Sequence, residues 1–227
     1  MTLTIYKELI QGSPEWLQAR CGLLTASEMK HIVTPSKLKA ADNDKSRSHL
    51  YELLAQRVTQ YVEPTYIGDD MLRGEVDEVE ALEIYAENYG EIERVGFIVN
   101  DKWGFALGYS PDALVGIDGL VEVKSRKGRF QMQTIDEDRM PADFLLQVQT
   151  GLLVSERSWC DFVSFCAGLP MLTLRIFGDL EVQGAIVEAA TKFHTVLDEK
   201  YAKMVERMSG RDYRLIPTER RDDTIVI

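Results

Sequence analysis

Long apolar runs are missing from this 227-residue chain: none approaches the roughly 18 residues that a membrane-spanning helix needs. Also missing is an N-terminal basic segment followed by an apolar stretch and a small-residue cleavage site, so the expectation is a cytoplasmic protein without a membrane partner. Cysteine is scarce. Cys21, Cys160 and Cys166 are odd in number and show no CxxC or Cys/His ligand spacing, which leaves them as buried, reduced structural thiols. His31, His49 and His194 are scattered, so neither a zinc site nor histidine-based catalysis is indicated, and oxygen ligands remain for any metal. Positive charge is in deficit too, with 26 Lys and Arg against 37 Asp and Glu. The net charge of −11 argues against a protein that simply coats nucleic acid, because such binding rests on neutralising phosphates.

What is present is ordinary for a folded protein: 45% hydrophobic and 28% charged residues, enough for a substantial core in one domain spanning residues 1–227. The charge is segregated. Acids crowd between Asp69 and Glu93, whereas Lys37, Lys39, Lys45 and Arg47 lie together, as do Lys124, Arg126, Lys127 and Arg129. Local basic patches of this kind can hold DNA while the exterior stays acidic.

Ser13 and Pro14 mark the start of a short helix with Trp16 turned inward, and Thr25 or Ser27 can begin another that ends before Pro35. The lysine-rich stretch from Pro35 to Ser46 is expected to be a mobile loop. A helix follows from about Ser46 to Val62, then one from about Asp70 to Asn88 with Val76, Val79, Leu82 and Tyr85 at helical spacing. The period then changes. Segments 95–99, 104–109, 113–115 and 120–124 predict an antiparallel meander. A helix from Asp143 to Ser155, strands 159–167 and 171–177, and a long helix from about Glu181 to Met208 complete the pattern, with residues 209–227 a loose tail. This order defines an α/β sandwich around a central mixed sheet flanked by helices.

The most informative segment is Ser110-Pro111-Asp112, followed ten residues later by Glu122-Val123-Lys124. On an extended strand, side chains at i and i+2 project from one face about 6.5 to 7 Å apart, so Glu122 and Lys124 look the same way while Val123 points into the core. Asp112 ends an adjoining segment within reach of a cation shared with Glu122. Magnesium needs only one or two carboxylates beside waters and phosphate oxygens, and the Val123 carbonyl can add a ligand. Such an ion activates water, and a second can stabilise the leaving oxygen, while Lys124 offsets charge growing on the phosphorus. The strand Leu-Val-Glu-Val-Lys is apolar enough to be buried, so its charges need a metal or counter-ion.

Three further segments bear on this. Arg20 to Glu28 brings an arginine and two hydroxyls, Thr25 and Ser27, to a helix start, where phosphate binding and simple capping account for them equally. Glu75, Asp77 and Glu78 lie early in a helix, where the macrodipole favours acids in any case. Gln147 and Gln149 lie on an otherwise apolar helix, so at least one amide faces something polar.

Taken together, Trp16 and Arg20, Leu24-Thr25-Ala26-Ser27-Glu28, Gly74 to Glu78, Ser110-Pro111-Asp112, Glu122-Val123-Lys124 and Gln147-Val148-Gln149 resemble the phage lambda exonuclease family, the YqaJ-like viral recombinase nucleases of the PD-(D/E)xK group. The resemblance implies a PD-(D/E)xK nuclease-like fold and a magnesium-dependent exonuclease acting at double-stranded DNA ends in a phage-infected or lysogenic host. It would digest one strand 5′ to 3′ and leave a 3′ single strand for an annealing protein. By motif position it implies two Mg2+ ions, with Mn2+ as a substitute, held by Asp112, Glu122, the Val123 carbonyl and Glu78. Lys124 is then the catalytic lysine, and Gln147 completes the site. Arg20, Ser27 and Ser110 would bind the 5′-phosphate with Thr25 nearby, and a homotrimer would ring the DNA. The stretch holding Lys37, Lys39, Lys45 and Arg47 aligns loosely with a DNA-contacting loop. Met71 stands roughly where an apolar wedge would part the strands, a core methionine being the alternative reading; Thr150 replaces a tyrosine, and no four-cysteine iron–sulfur set exists. The alternatives are an endonuclease of the same group and a non-catalytic DNA-binding recombination module.

Overall fold

The computed structural model describes residues 2–64, 68–210 and 214–220. An edge strand, β1 (Leu3–Tyr6), precedes helix α1 (Pro14–Arg20), whose start is fixed by the Ser13 Oγ accepting from the Trp16 N–H at 3.2 Å and by Pro14 in the first turn. The short strand β2 (Leu24–Thr25), a 3-10 turn (Ala26–Glu28) and helix α2 (Met29–Ile32) lead into the hairpin β3 (Val33–Thr34) and β4 (Lys39–Ala40). The stretch expected to be a loop is therefore partly paired backbone, with Val33 opposite Ala40 and Thr34 opposite Lys39. Helix α3 (Asp44–Thr59) starts where the Asn43 Oδ1 accepts from the Ser46 N–H, and helix α4 (Asp69–Tyr89) follows.

Strands β5 (Phe97–Asn100), β6 (Leu107–Tyr109), β7 (Ala113–Val115) and β8 (Gly119–Ser125) occupy the predicted middle. They do not form one meander. Strands β1, β5, β6 and β2 make one four-stranded sheet, while β7 and β8 belong to a second with β9 (Trp159–Phe165) and β10 (Leu172–Phe177). Both halves are mixed: β2 runs parallel to β6 and β8 parallel to β9, whereas the other pairs are antiparallel. The break falls at Ser110-Pro111-Asp112, where proline removes a ladder donor. Helix α5 (Gly128–Glu137) was not expected, and a 3-10 turn (Ala142–Phe144) then opens α6 (Leu145–Ser155). The long helix α7 (Leu180–Ser209) is capped by the Asp179 carboxylate, which accepts from the Glu181 and Val182 N–H groups. Residues 214–220 carry no helix or strand; residues 211–213 and 221–227 of the expected tail lie outside the described residues.

Strand alternation sorts β8 between two cores. Leu120 joins the larger core with Tyr109, Leu146, Leu152 and α7, whereas Val121 and Val123 pack with Ala81, Leu82 and Tyr85 of α4. The inner face of α4 differs from the expected stripe. Leu82 and Tyr85 are buried, but Val76 and Val79 are exposed, because Asp77 takes the inward position and accepts from the Ser125 hydroxyl at 2.5 Å. Among the cysteines only Cys160 is buried; Cys21 and Cys166 are free and partly exposed.

Candidate active site

Glu122 is 1% exposed at the middle of β8. Its Oε1 accepts from the Lys124 ammonium at 2.6 Å and from the Gln147 amide of α6, and its Oε2 accepts from the Tyr109 hydroxyl at 2.7 Å. The i, i+2 geometry thus holds: Glu122 and Lys124 share one face, and Val123 faces the opposite core. Asp112 stands just before β7, whose Ala113 pairs with Val121, and its Oδ2 accepts from the Val123 N–H at 2.5 Å. Glu78 of α4 approaches from the other side, and its carboxylate accepts from Arg94 at 2.8 Å.

These charges are not independent. Burial, and then the neighbouring Glu122, push the Asp112 carboxyl well above the usual carboxylate range, against the pull of Lys124. Glu78 is also raised by burial, offset by Arg94 and reinforced by Glu122. Burial alone lowers the Lys124 ammonium, but Glu122 and Asp112 outweigh it and hold the group above an ordinary lysine. The Cys160 thiol and the Tyr109 phenol are pushed up by burial and by Glu122, so both stay protonated. Two buried carboxylates therefore face one lysine, while Glu78 has its own arginine. The group lacks positive charge.

The second cluster lies on the N-terminal side of Ser110. The Arg20 guanidinium donates to the Ser110 Oγ at 3.3 Å and to the Thr25 Oγ1 at 3.4 Å, and the Thr25 and Ser27 hydroxyls are 3.3 Å apart. Arg20 lies 4.1 Å over the Trp16 ring, whose indole N–H donates to the Ser110 Oγ at 2.9 Å and to the Gly96 carbonyl at 3.1 Å. Burial lowers the Arg20 pKa and Glu28 raises it. A cleft of about 700 Å³ opens beside the Arg20 cluster, with Arg20, Thr25, Glu28, Met71, Glu75 and Glu78 in its wall. Asp112, Glu122 and Lys124 lie outside that wall, and Glu78 is the link between them and the cleft.

The residues singled out in the sequence divide accordingly. Asp112, Glu122, Val123, Lys124 and Gln147 converge, with Glu78 felt only electrostatically, and Arg20, Thr25, Ser27 and Ser110 converge likewise. Lys37 and Lys39 lie in the hairpin, and Lys45 and Arg47 in the first turn of α3. Lys39 stands beside Ala185, Glu188 and Lys192 of α7, and Arg47 pairs with Asp42 and Asp44. Gln149 serves the scaffold, donating to the Phe177 carbonyl and accepting from the Asp179 N–H. Sequence reading missed Tyr109 and Arg94, although Tyr109 directly precedes Ser110-Pro111-Asp112.

Known proteins bear on this arrangement. The family model described as the YqaJ-like viral recombinase domain matches residues 15–158. The chain is similar to the alkaline exonuclease of Laribacter hongkongensis at 27% identity and TM-score 0.77, over 87% of this chain and 98% of that one. A structure of that enzyme in complex with dAMP matches at 30% identity and TM-score 0.76, with the same coverage. A phage-related exonuclease from Haemophilus somnus 129PT, 13% identical with TM-score 0.56 over 82% of this chain and 96% of that one, shares the fold. Among curated proteins none matches.

Proposed function

The chain belongs to the YqaJ-like viral recombinase family, and we propose that it is a metal-dependent exonuclease acting on ends of linear double-stranded DNA. It digests one strand from 5′ to 3′ and leaves a 3′ single strand for a single-strand-annealing protein, working as a homotrimer of single nuclease domains in a bacterial cytoplasm. One observation carries this reading. Ser110 accepts from Arg20 and Trp16, and Asp112, two residues on, accepts from the N–H between Glu122 and Lys124. A terminal phosphate seated on Arg20 is thereby referred to the carboxylates through three residues of chain. The Laribacter enzyme's complex with dAMP supports a nucleotide-releasing site.

The donor set fits a hard divalent cation. It offers the oxygens of Asp112, Glu122 and the Val123 carbonyl, with Glu78 further off; the neighbouring Cys160 thiol stays protonated, and the repulsion between Asp112 and Glu122 would be relieved by a cation. Two Mg2+ ions, with Mn2+ able to replace them, supply Lewis-acid stabilisation of phosphate oxygens and a more acidic water when bound. The chain does the rest. Lys124, whose ammonium donates to Glu122, offsets charge growing on the phosphorus oxygens. Gln147 and Tyr109 hold the Glu122 carboxylate. The Arg20 guanidinium, with the hydroxyls of Thr25, Ser27 and Ser110, takes the 5′-phosphate. Met71, half exposed in the cleft wall, parts the strands, and Lys37, Lys39, Lys45 and Arg47 track the duplex.

The test is linear duplex labelled separately at each strand's 5′ and 3′ ends, incubated with Mg2+ and again with chelator. Nucleotide release from the 5′ ends alone, its loss with chelator, and a covalently closed circle left whole are the expected results. Cutting of the circle would replace the proposal with an endonuclease, and no metal-dependent release would leave only a binding module.

A further inference from the structure

Tyr109 is 1% exposed on β6, in the sheet half that does not contain Glu122, yet its hydroxyl reaches across to the Glu122 Oε2 at 2.7 Å. The other oxygen, Oε1, takes the Lys124 ammonium and the Gln147 amide. A carboxylate offers about four lone-pair directions, so three donors leave one, and it lies on the oxygen that Tyr109 holds. The ring occupies its place only because residue 151 is glycine. A Cβ there would lie 2.7, 2.9 and 3.0 Å from three atoms of the Tyr109 ring. Gly151 sits inside α6, one turn after Gln147, where glycine costs about 1 kcal/mol relative to alanine. One face of α6 therefore supplies the donor to Oε1 and the room for the donor to Oε2.

We propose that Tyr109, seated against Gly151, is a positioning residue that locks the Glu122 carboxylate so that its remaining lone pair meets a divalent cation beside Asp112. The proposal rests on the metal-dependent reading above. It is tested by titrating Mn2+ into the full-length protein without DNA, following free Mn2+ by electron paramagnetic resonance. Tyr109→Phe keeps the ring and removes only the hydroxyl. Its Mn2+ affinity is expected to fall about 10-fold, as for other groups that orient a metal ligand, with cooperative unfolding retained and the melting temperature lowered by no more than one lost buried hydrogen bond. The Mn2+ concentration that half-saturates DNA digestion should rise by the same factor while the rate at saturating Mn2+ recovers, a split that general loosening of the fold would not produce. Gly151→Ala keeps the hydroxyl but displaces it, and should weaken Mn2+ binding to a similar degree, whereas the double variant should lose little more than either single one. Wild-type Mn2+ affinity in folded Tyr109→Phe overturns the proposal. A wild-type protein that takes up no Mn2+ overturns the metal-dependent reading itself, so the two failures are distinct.

Discussion

Two acidic centres lie one strand apart in the second sheet half, and they are built oppositely. On β9, Asp161 is buried opposite Val121, and each of its oxygens is matched: the Arg175 Nε and Nη2 donate at 2.8 and 2.9 Å, and the Tyr85 hydroxyl donates at 2.6 Å. On β8, Glu122 and Asp112 share one lysine, and burial with mutual repulsion drives Asp112 well above its ordinary range. Both centres use a buried tyrosine as a donor, so local polarity does not tell them apart. Charge balance does. A bidentate arginine saturates the Asp161 carboxylate, whereas Asp112 and Glu122 have a single lysine between them.

Removing charge from each centre is the sharpest way to break this contrast. Asp112→Asn can still accept from the Val123 N–H, so it should melt at or above the wild-type temperature while exonuclease activity falls on the order of 10³-fold, about 4 kcal/mol of transition-state stabilisation. Asp161→Ala should do the reverse. It strands the Tyr85 hydroxyl and the Arg175 guanidinium, costing about 3 kcal/mol in urea unfolding, with digestion near wild type at low temperature. Full activity in the first variant, or lost activity in folded samples of the second, would erase the distinction between the centres.

A third buried group extends the scaffold side of the comparison to pH. His194 of α7 is buried, stacked 4.4 Å from the Phe105 ring, and its Nδ1 lies 3.4 Å from the Arg57 Nη2. Burial, and then the Arg57 charge, lower its pKa from 6.5 to about 4. The unfolded chain therefore binds the proton first. The stability is fully present above pH about 6.5 and is lost progressively as pH falls toward about 4, amounting to about 3 kcal/mol. Urea midpoints measured at pH 7 and pH 4 should separate more in the wild type than in His194→Gln; an equal separation would refute the assignment.

How much of this was legible in the sequence follows from where the information sits. Glu122, Val123 and Lys124 could be placed because a period of two in one strand assigns faces, and Arg20, Thr25 and Ser27 because they are close in the chain, although they fall at the end of α1, in β2 and in a 3-10 turn and not at one helix start. Helix α5 was missed because its inward residues are polar: Gln131 donates to the Ser164 and Pro170 carbonyls, and Thr134 is buried. The larger apolar residues of α5, Phe130 and Met132, are exposed instead. Strand β1 is a half-exposed edge strand with little contrast between its faces. The split at Ser110-Pro111-Asp112, the Arg94 partner of Glu78 and the reach of Tyr109 to Glu122 are tertiary matters that no local spacing encodes. Gly151, four residues after Gln147 in an apolar helix, was the nearest available hint.

The smallest expected effect concerns the Arg20 cluster, which stands between the two kinds of centre. Arg20 has hydroxyl partners at 3.3 and 3.4 Å and, among the described residues, no carboxylate within ion-pair distance, only the more distant influence of Glu28. It thus resembles the β8 centre with the sign reversed: a partly buried cation held by neutral oxygens. Arg20→Ala should slow digestion of 5′-phosphorylated ends about 10-fold, near 1.4 kcal/mol, and of 5′-hydroxyl ends much less, because only the former lose a charge-assisted contact. Trp16, which stacks on the guanidinium and donates to Ser110, would be disturbed by the same change. Digestion of the two kinds of end slowed equally would then point to collapse of the pocket around Trp16 and would remove Arg20 from phosphate recognition.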